Sequence, residues 1–356
     1  MSNEKYIGMD VHQATISAAV LDRSGRVVME CIVETKAATI LDFIAGIRGS
    51  LCVTFEEGTC AGWLYDLLWP KVNKVLVCDP RKNALLQAGN KSDKIDARKL
   101  AELLRADQLS AVYHNREAGI RRLRELARSY LALTKDLTRV MNRIKAAYRS
   151  WGIGCSGTQV FTPKYRAAWL EKLPEAGVRS RVQRLYAQYD CLTPLRQEAR
   201  QELLLEARKH SATQLLRQIP CIGPIRSALL LALLQTPHRF RTKRQLWAYS
   251  GLALESEISG EYCIVGGRIV RSKKQLNIRG LNRNHNHDLK YLFKSAALAA
   301  SISAGPFRDF YTALLIKGMK PAMARLTLAR KIAAIVLVVW KRGGRFDAQR
   351  LKPQAA

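Results

Sequence analysis

Apolar and polar residues alternate along the first third of the chain in a pattern that predicts a small domain of mixed strands and helices. The apolar runs at 6–9, 15–21 and 26–34 are typical of strands, and the Asp-Arg-Ser-Gly stretch at 22–25 supplies a turn between the last two. Beyond them the pattern predicts a helix at 38–47, a strand at 51–55, a helix at 61–69, a strand at 74–78 and a helix at 95–104. The chain therefore begins with an antiparallel meander and continues with alternating helices and strands.

That order of elements is the order of the RNase H-like fold, an α/β fold, and the rest of the chain is predicted to be mostly helical. Apolar residues three or four apart between 116 and 151, with Arg and Lys between them, predict one long amphipathic helix. A second helical stretch at 179–210 is interrupted by Pro194. The two stretches could pair as an antiparallel coiled coil or dimerise with another subunit.

The remainder, 213–345, is predicted to be compact and basic. It contains a Pro-Cys-Ile-Gly-Pro turn at 220–224, a centre rich in Gly and Ser, and a final helix at 322–340. The longest late apolar run, 332–340, is far shorter than the ~20 residues that a membrane-spanning helix needs. The eight cysteines include no Cys-x-x-Cys pair, which favours neither disulfides nor structural zinc and is typical of a reduced compartment. From the short apolar runs and the cysteines together, we expect a cytoplasmic, nucleoid-associated protein with no membrane partner.

Charge is distributed unevenly and points to nucleic acid. The formal net charge is +30; residues 1–110 hold 14 Lys and Arg against 14 Asp and Glu, whereas residues 111–356 hold 45 against 15. Such a surplus is suited to neutralising phosphates and releasing counterions. A solvated basic surface, or attraction to anionic membrane, is the alternative interpretation.

Four carboxylates are expected to meet at one edge of the predicted sheet. Asp10 ends the first strand and Glu56 ends the fourth, and these strands are neighbours in an RNase H-like sheet. Asp93 and Asp96 lie three residues apart at a helix start and so face one way. Packed carboxylates repel one another unless they bind hard cations, and two Mg²⁺ ions (or Mn²⁺) would stabilise the attacking and leaving oxygens of a phosphodiester.

Simpler roles remain open for several of these residues. Asp93 could merely cap its helix, and Glu57 could replace Glu56 as the ligand. His12, beside the acids, could tune the site but is more typical of a structural or exposed histidine, so it is left out of the catalytic set. His285 and His287 are expected to touch nucleic acid rather than metal.

Three motifs in the first third resemble those of the insertion-sequence 110 family of bacterial transposases. They are Gly-Met-Asp-Val at 8–11, Phe-Glu-Glu-Gly-Thr at 55–59 and Lys-Ser-Asp-Lys-Ile-Asp-Ala-Arg-Lys-Leu-Ala at 91–101. The later stretches 219–224, 239–240, 246–252 and 257–260 agree with the family in the same order. The resemblance therefore spans nearly the whole chain.

The resemblance implies four segments. Residues 1–112 form a RuvC-like catalytic domain, and residues 113–212 form a coiled-coil linker or dimerisation region. Residues 213–345 form a C-terminal transposase domain, and residues 346–356 form a tail. It implies that Asp10, Glu56, Asp93 and Asp96 bind metal as a DEDD set and that Ser259 is a nucleophile that forms a covalent bond with DNA. The basic residues Lys273, Lys274 and Arg279 are candidate phosphate contacts. The implied partners are DNA, a structured bridge RNA and further copies of the chain.

Two other functions fit parts of the pattern. A Holliday-junction resolvase or a DEDD nuclease would use the same acids with water as nucleophile. The exonuclease version places Asp-x-Glu on its first strand, whereas Val11 and His12 follow Asp10 here. A DNA-binding protein with an inactive site would use the 220–224 turn to contact backbone phosphates.

Overall fold

The computed structural model describes residues 3–80, 92–115, 117–257, 262–271 and 277–351. These residues form two compact units, Met1–Arg116 and Glu117–Ala356. The predicted division of the chain into three functional segments and a tail stays a prediction.

The first unit contains a five-stranded sheet with helices, as the sequence predicted. Its strands and helices in chain order are β1 Glu4–Val11, β2 Thr15–Asp22, β3 Val27–Glu34, α1 Ala37–Gly46, β4 Ser50–Glu56, α2 Ala61–Leu68, β5 Lys74–Cys78 and α3 Asp93–Arg105. The strand order is β3-β2-β1-β4-β5; β1 to β3 are antiparallel, and β4 runs parallel to both β1 and β5. The predicted α/β fold and the predicted adjacency of the first and fourth strands are confirmed.

Alternation along β1 assigns its residues to the two faces of the sheet. Ile7 and Met9 belong to the core that also contains Ile40 of α1 and Leu64 of α2. Gly8 and Asp10 point to the opposite face, because successive side chains in a strand alternate. That face is covered by α3, whose backbone passes directly over Gly8.

The second unit begins with two long antiparallel helices, α4 Ala118–Arg149 and α6 Ala176–Arg208, with the short helix α5 Arg166–Glu171 between them in the chain. Tyr148, near the end of α4, contacts Tyr186, near the start of α6, through their hydroxyls at 3.0 Å. At the other end, Arg122 lies 3.8 Å from Glu206. Of the two pairings left open by the sequence, the described residues show the pairing within one chain.

The predicted interruption at Pro194 is wrong, because α6 continues through that residue. A proline inside a helix removes one backbone hydrogen bond and costs about 3 kcal/mol. Both halves of α6 nevertheless bury apolar side chains against α4: Val182 and Leu185 in one core, and Ala199 and Leu203 in another. This packing on both sides of the proline offsets the local cost.

The rest of the second unit is mainly helical and includes short strands that the sequence did not predict. Its elements are α7 Ser211–Arg217, α8 Pro224–Leu234, α9 Lys243–Tyr249, β6 Leu254–Glu257, β7 Tyr262–Val265, β8 Arg268–Arg271, β9 Asn277–Leu281, α10 His287–Ile302, α11 Pro306–Ile316 and α12 Pro321–Arg342. β6 pairs with β9 and β7 with β8. Strands of four or five residues are too short to produce a clear alternation of their own.

One apolar core joins the base of the long helices to the C-terminal helices. It contains Leu123 of α4, Leu203 of α6, Leu230 of α8, Phe293 of α10 and Ile332 of α12. Among the helices that the structure describes, none is long and apolar enough to cross a membrane.

Candidate metal centre

The start of α3 places two of the predicted acids beside β1. Ser92 is the N-cap residue, and its hydroxyl accepts a hydrogen bond from the Ile95 amide at 3.3 Å. Asp93 and Asp96 both lie in the first turn of the helix. Since Ser92 already caps the helix, capping does not account for the carboxylate of Asp93.

Three side chains of the first unit converge at this point. His12 Nε2 lies 3.2 Å from Asp10 Oδ2 and 3.5 Å from Asp93 Oδ2. Asp10, His12 and Asp93 each offer one ligand atom, and these atoms all lie within 4.8 Å of one another. The sequence predicts the proximity of the two acids but does not place His12 among them.

Negative charge accumulates around Asp10. Burial raises the pKa of the Asp10 carboxyl above its ordinary value of 3.8, the charge and hydrogen bond of His12 act against that rise, and Asp93 and Asp96 increase it. The Asp10 side chain is 23% exposed and that of Asp93 is 62% exposed, so the cluster opens to solvent on the Asp93 side. Such an arrangement gains stability from a bound cation.

Asp96 supplies the observation that tests whether a metal ion fits. Its Oδ1 atom is buried and has no hydrogen-bond partner among the residues that the structure describes. A buried carboxylate oxygen without a partner is costly. Carboxylate oxygens are the ligands that Mg²⁺ prefers, and an imidazole nitrogen also suits Mn²⁺ or Zn²⁺. The residues present therefore fit a divalent cation.

The other predicted acids lie outside the cluster of Asp10, His12 and Asp93. Glu56 is half-buried at the end of β4, one position beyond the Met9–Phe55 pair, and so lies along the same edge of the sheet as Asp10. Neither Glu56 nor Asp96 belongs to the three-residue cluster found among the described residues. Glu57 is exposed, and its amide donates to the Cys78 carbonyl at 2.9 Å.

The predicted nucleophile and basic contacts belong to the second unit. Ser259, Lys273 and Lys274 lie outside the described residues. Arg279 falls within β9. His285 packs its ring against Gly251, and its Nδ1 atom is buried without a hydrogen-bond partner in the described part of the chain.

Two further residues hold α3 in place, and sequence reasoning did not select either. A Cβ atom on Gly8 would lie 2.5 Å from the Ala101 amide nitrogen and closer still to the Ala97 carbonyl oxygen. Glu30 on β3 binds Lys94 at 2.8 Å and the Arg98 guanidinium at 2.5 and 2.7 Å. Gly8 was part of a quoted motif, but Glu30 carries no local signal, since it lies 68 positions from Arg98.

The sheet order and the acids at its edge are consistent with an RNase H-like enzyme domain, and comparisons with protein families identify the family. A model described as DEDD_Tnp_IS110, Transposase, matches residues 7–150. A second, described as Transposase IS116/IS110/IS902 family, matches residues 213–312. Together they cover more than half of the chain, which therefore belongs to the IS110 family of transposases. No curated protein matches the chain.

Membership of this family confirms the resemblance inferred from the motifs and defines the general activity of the protein. The chain is a transposase of an insertion sequence, an enzyme that cuts and rejoins DNA, and DNA is its substrate. The first match ends one residue after α4, so it extends past the first compact unit.

Proposed function

We propose that this transposase moves its own element as a site-specific recombinase, with a divalent metal site formed by Asp10, Glu56, Asp93 and Asp96. The observation that carries the proposal is the convergence of Asp10 and Asp93, together with a buried Asp96 Oδ1 atom that has no hydrogen-bond partner among the described residues. Glu56 completes the set from the neighbouring strand β4. Mg²⁺ or Mn²⁺ bound there would stabilise negative charge on the phosphate oxygens during strand cleavage.

Ser259 is proposed as the nucleophile on the basis of the family resemblance. Its hydroxyl loses a proton, its oxygen bonds to a DNA phosphorus, and the bond from that phosphorus to one deoxyribose oxygen breaks, with the released oxygen taking up a proton. The reverse reaction at a different strand end restores a phosphodiester and frees the serine. A serine hydroxyl is a poor nucleophile until it is polarised or deprotonated. The acids of the first unit therefore need to reach Ser259, in one chain or between copies in a homo-oligomer.

Guidance by a structured bridge RNA is the second part of the proposal. Residues 111–356 carry 45 Lys and Arg against 15 Asp and Glu. That surplus of positive charge exceeds what binding one DNA duplex needs, and so supports binding of an RNA as well. Lys273, Lys274 and Arg279 are proposed as phosphate contacts within this region.

The test is a denaturing gel of purified protein with Mg²⁺, the element ends and the flanking noncoding RNA. Wild type is compared with Asp10→Ala, Asp93→Asn and Ser259→Ala. Asp42→Asn is the matched control, since Asp42 is an exposed acid on α1. We expect a protein–DNA adduct in wild type and the control, and none in the other three variants.

Each other outcome removes a defined part of the proposal. Cleavage that depends on metal but leaves no adduct would retain the acids, discard Ser259 and favour a nuclease or resolvase that uses water. An adduct that survives Asp10→Ala and Asp93→Asn would discard the metal site. Full recombination without the noncoding RNA would discard the guide.

A further inference from the structure

A cavity in the second unit combines aromatic walls with a cationic rim. Its volume is about 560 Å³, and it lies between α9, α11, α12 and the segment after α12. Ile335, Val338 and Val339 form apolar surface within it. Five cationic side chains and one carboxylate line it, which leaves a positive excess: Lys243, Arg330, Lys331, Arg342, Arg345 and Asp347. Its volume falls within the range of about 300–1,000 Å³ that is usual for small-molecule sites.

Trp247, one of the two aromatic residues that line this cavity, is held by a hydrogen bond. The Trp247 indole Nε1 donates a hydrogen bond to the Arg330 carbonyl at 2.9 Å. Arg330 Nε in turn donates to the Leu252 carbonyl at 2.6 Å. These two bonds fix the orientation of the half-buried Trp247 side chain, which forms part of the cavity wall. Phe310 of α11 provides a second ring.

A lysine ammonium lies over each ring, so a base that stacks there replaces a cation–π contact while the lysine turns to its phosphate. Lys243 Nζ is 5.7 Å from the Trp247 ring centroid, and Lys331 Nζ is 5.8 Å from that of Phe310. Burial lowers the pKa of Lys331, and the nearby charge of Lys243 lowers it further. Burial also lowers the pKa of Arg330. Partly desolvated positive charges that repel one another favour an anion between them.

We propose that this cavity binds one unstacked nucleotide of a single-stranded nucleic acid. Its base stacks on Trp247 or Phe310, and its phosphate pairs with Lys243 and Lys331 at the rim. A ligand of this kind matches both halves of the cavity, since an inorganic anion leaves the aromatic surface uncovered and an apolar ligand leaves the charges unpaired. Proteins that bind single strands combine these two features. The site is independent of the acids and of Ser259.

The test uses photo-crosslinking in EDTA, so that it does not depend on the proposed metal site. Single-stranded 12-mers of RNA or DNA carrying one 5-iodouracil are irradiated with the full-length protein, and the crosslinked peptides are mapped. We expect crosslinks at Trp247 or Phe310 that AMP suppresses at concentrations where inorganic phosphate does not. Crosslinking by RNA, by DNA or by both supports the proposal and identifies the strand bound.

Affinity measurements on variants provide the second readout. Lys331→Ala and Val338→Glu should each weaken binding of the 12-mer at least about fivefold, the scale of one stacked base. Val338 is 38% exposed, so Val338→Glu adds a charge at the cavity without disturbing the core. Lys317→Ala is the control, because Lys317 is an exposed cation outside the cavity. Equal losses in Lys317→Ala and Lys331→Ala, equal competition by phosphate and AMP, or crosslinks only outside the cavity would each overturn the proposal.

Discussion

Replacing Gly8 by alanine should separate the acids of α3 from the acid of β1. Gly8 is buried two residues before Asp10, on the face of the sheet that α3 covers. An added Cβ would lie 2.5 Å from the Ala101 amide nitrogen and 3.0 Å from Leu100 Cβ. The nearest atoms belong to helix backbone, which cannot move aside as a flexible side chain would.

The size of the effect can be worked out from these distances. Ordinary van der Waals contact begins at 3.4 Å, so the Ala101 nitrogen has to retreat by at least 3.4 − 2.5 = 0.9 Å. Overpacking of this kind costs about 1–3 kcal/mol of unfolding free energy. Moving catalytic groups by about 1 Å costs on the order of 100-fold in rate. A 100-fold loss of rate corresponds to about 2.7 kcal/mol of activation free energy, so Gly8→Ala should lower the cleavage rate and the unfolding free energy by comparable amounts.

The assay pairs urea unfolding with the rate of DNA cleavage in Mg²⁺. Gly62→Ala is the matched control, because a Cβ on Gly62 of α2 would meet no atom of the described residues within 4 Å. At that exposed position of α2 the control should gain up to about 1 kcal/mol and cleave normally. If Gly8→Ala unfolds and cleaves as Gly62→Ala does, the close contact between α3 and β1 does not set the geometry of the site.

Three further changes test other contacts. Glu30→Gln should cost about 1 kcal/mol at pH 7, because it weakens the bonds to Lys94 and Arg98. Those bonds hold the pKa of Glu30 below its ordinary value of 4.5, so the difference from wild type in urea unfolding should shrink as the pH falls below that value; a difference that persists in acid would contradict this origin. Tyr186→Phe should cost about 1–3 kcal/mol by leaving the buried Tyr148 hydroxyl unpaired, and replacing both tyrosines by Phe should recover most of that loss in urea unfolding. In EDTA, Asp96→Asn should be at least as stable as wild type, because it removes a negative charge near Asp10. In Mn²⁺ wild type should gain about 2.7 kcal/mol at 100 times its dissociation constant, and an equal gain in Asp96→Asn would rule out Asp96 as a ligand.

Much of the first unit could be predicted because its signals are local. Strand alternation and helical spacing repeat within a few residues, so the predicted elements agree closely with β1 to β5 and α1 to α3. The same locality placed Asp10 at a strand end and Asp93 and Asp96 on one helical turn. Pro194 failed as a helix end because the packing of α6 against α4, which local propensity does not contain, decided the outcome.

The sequence by itself determined the order of the elements, the acids that end them, the basic second half and the motifs of the family. Only the tertiary structure decided that His12 lies between Asp10 and Asp93, that Glu30 anchors α3 and that Trp247 faces a cationic cavity. Trp247 and the Arg330 carbonyl to which it donates are 83 positions apart. Contacts over such separations depend on how whole helices and sheets pack, because no short-range period relates the residues that meet.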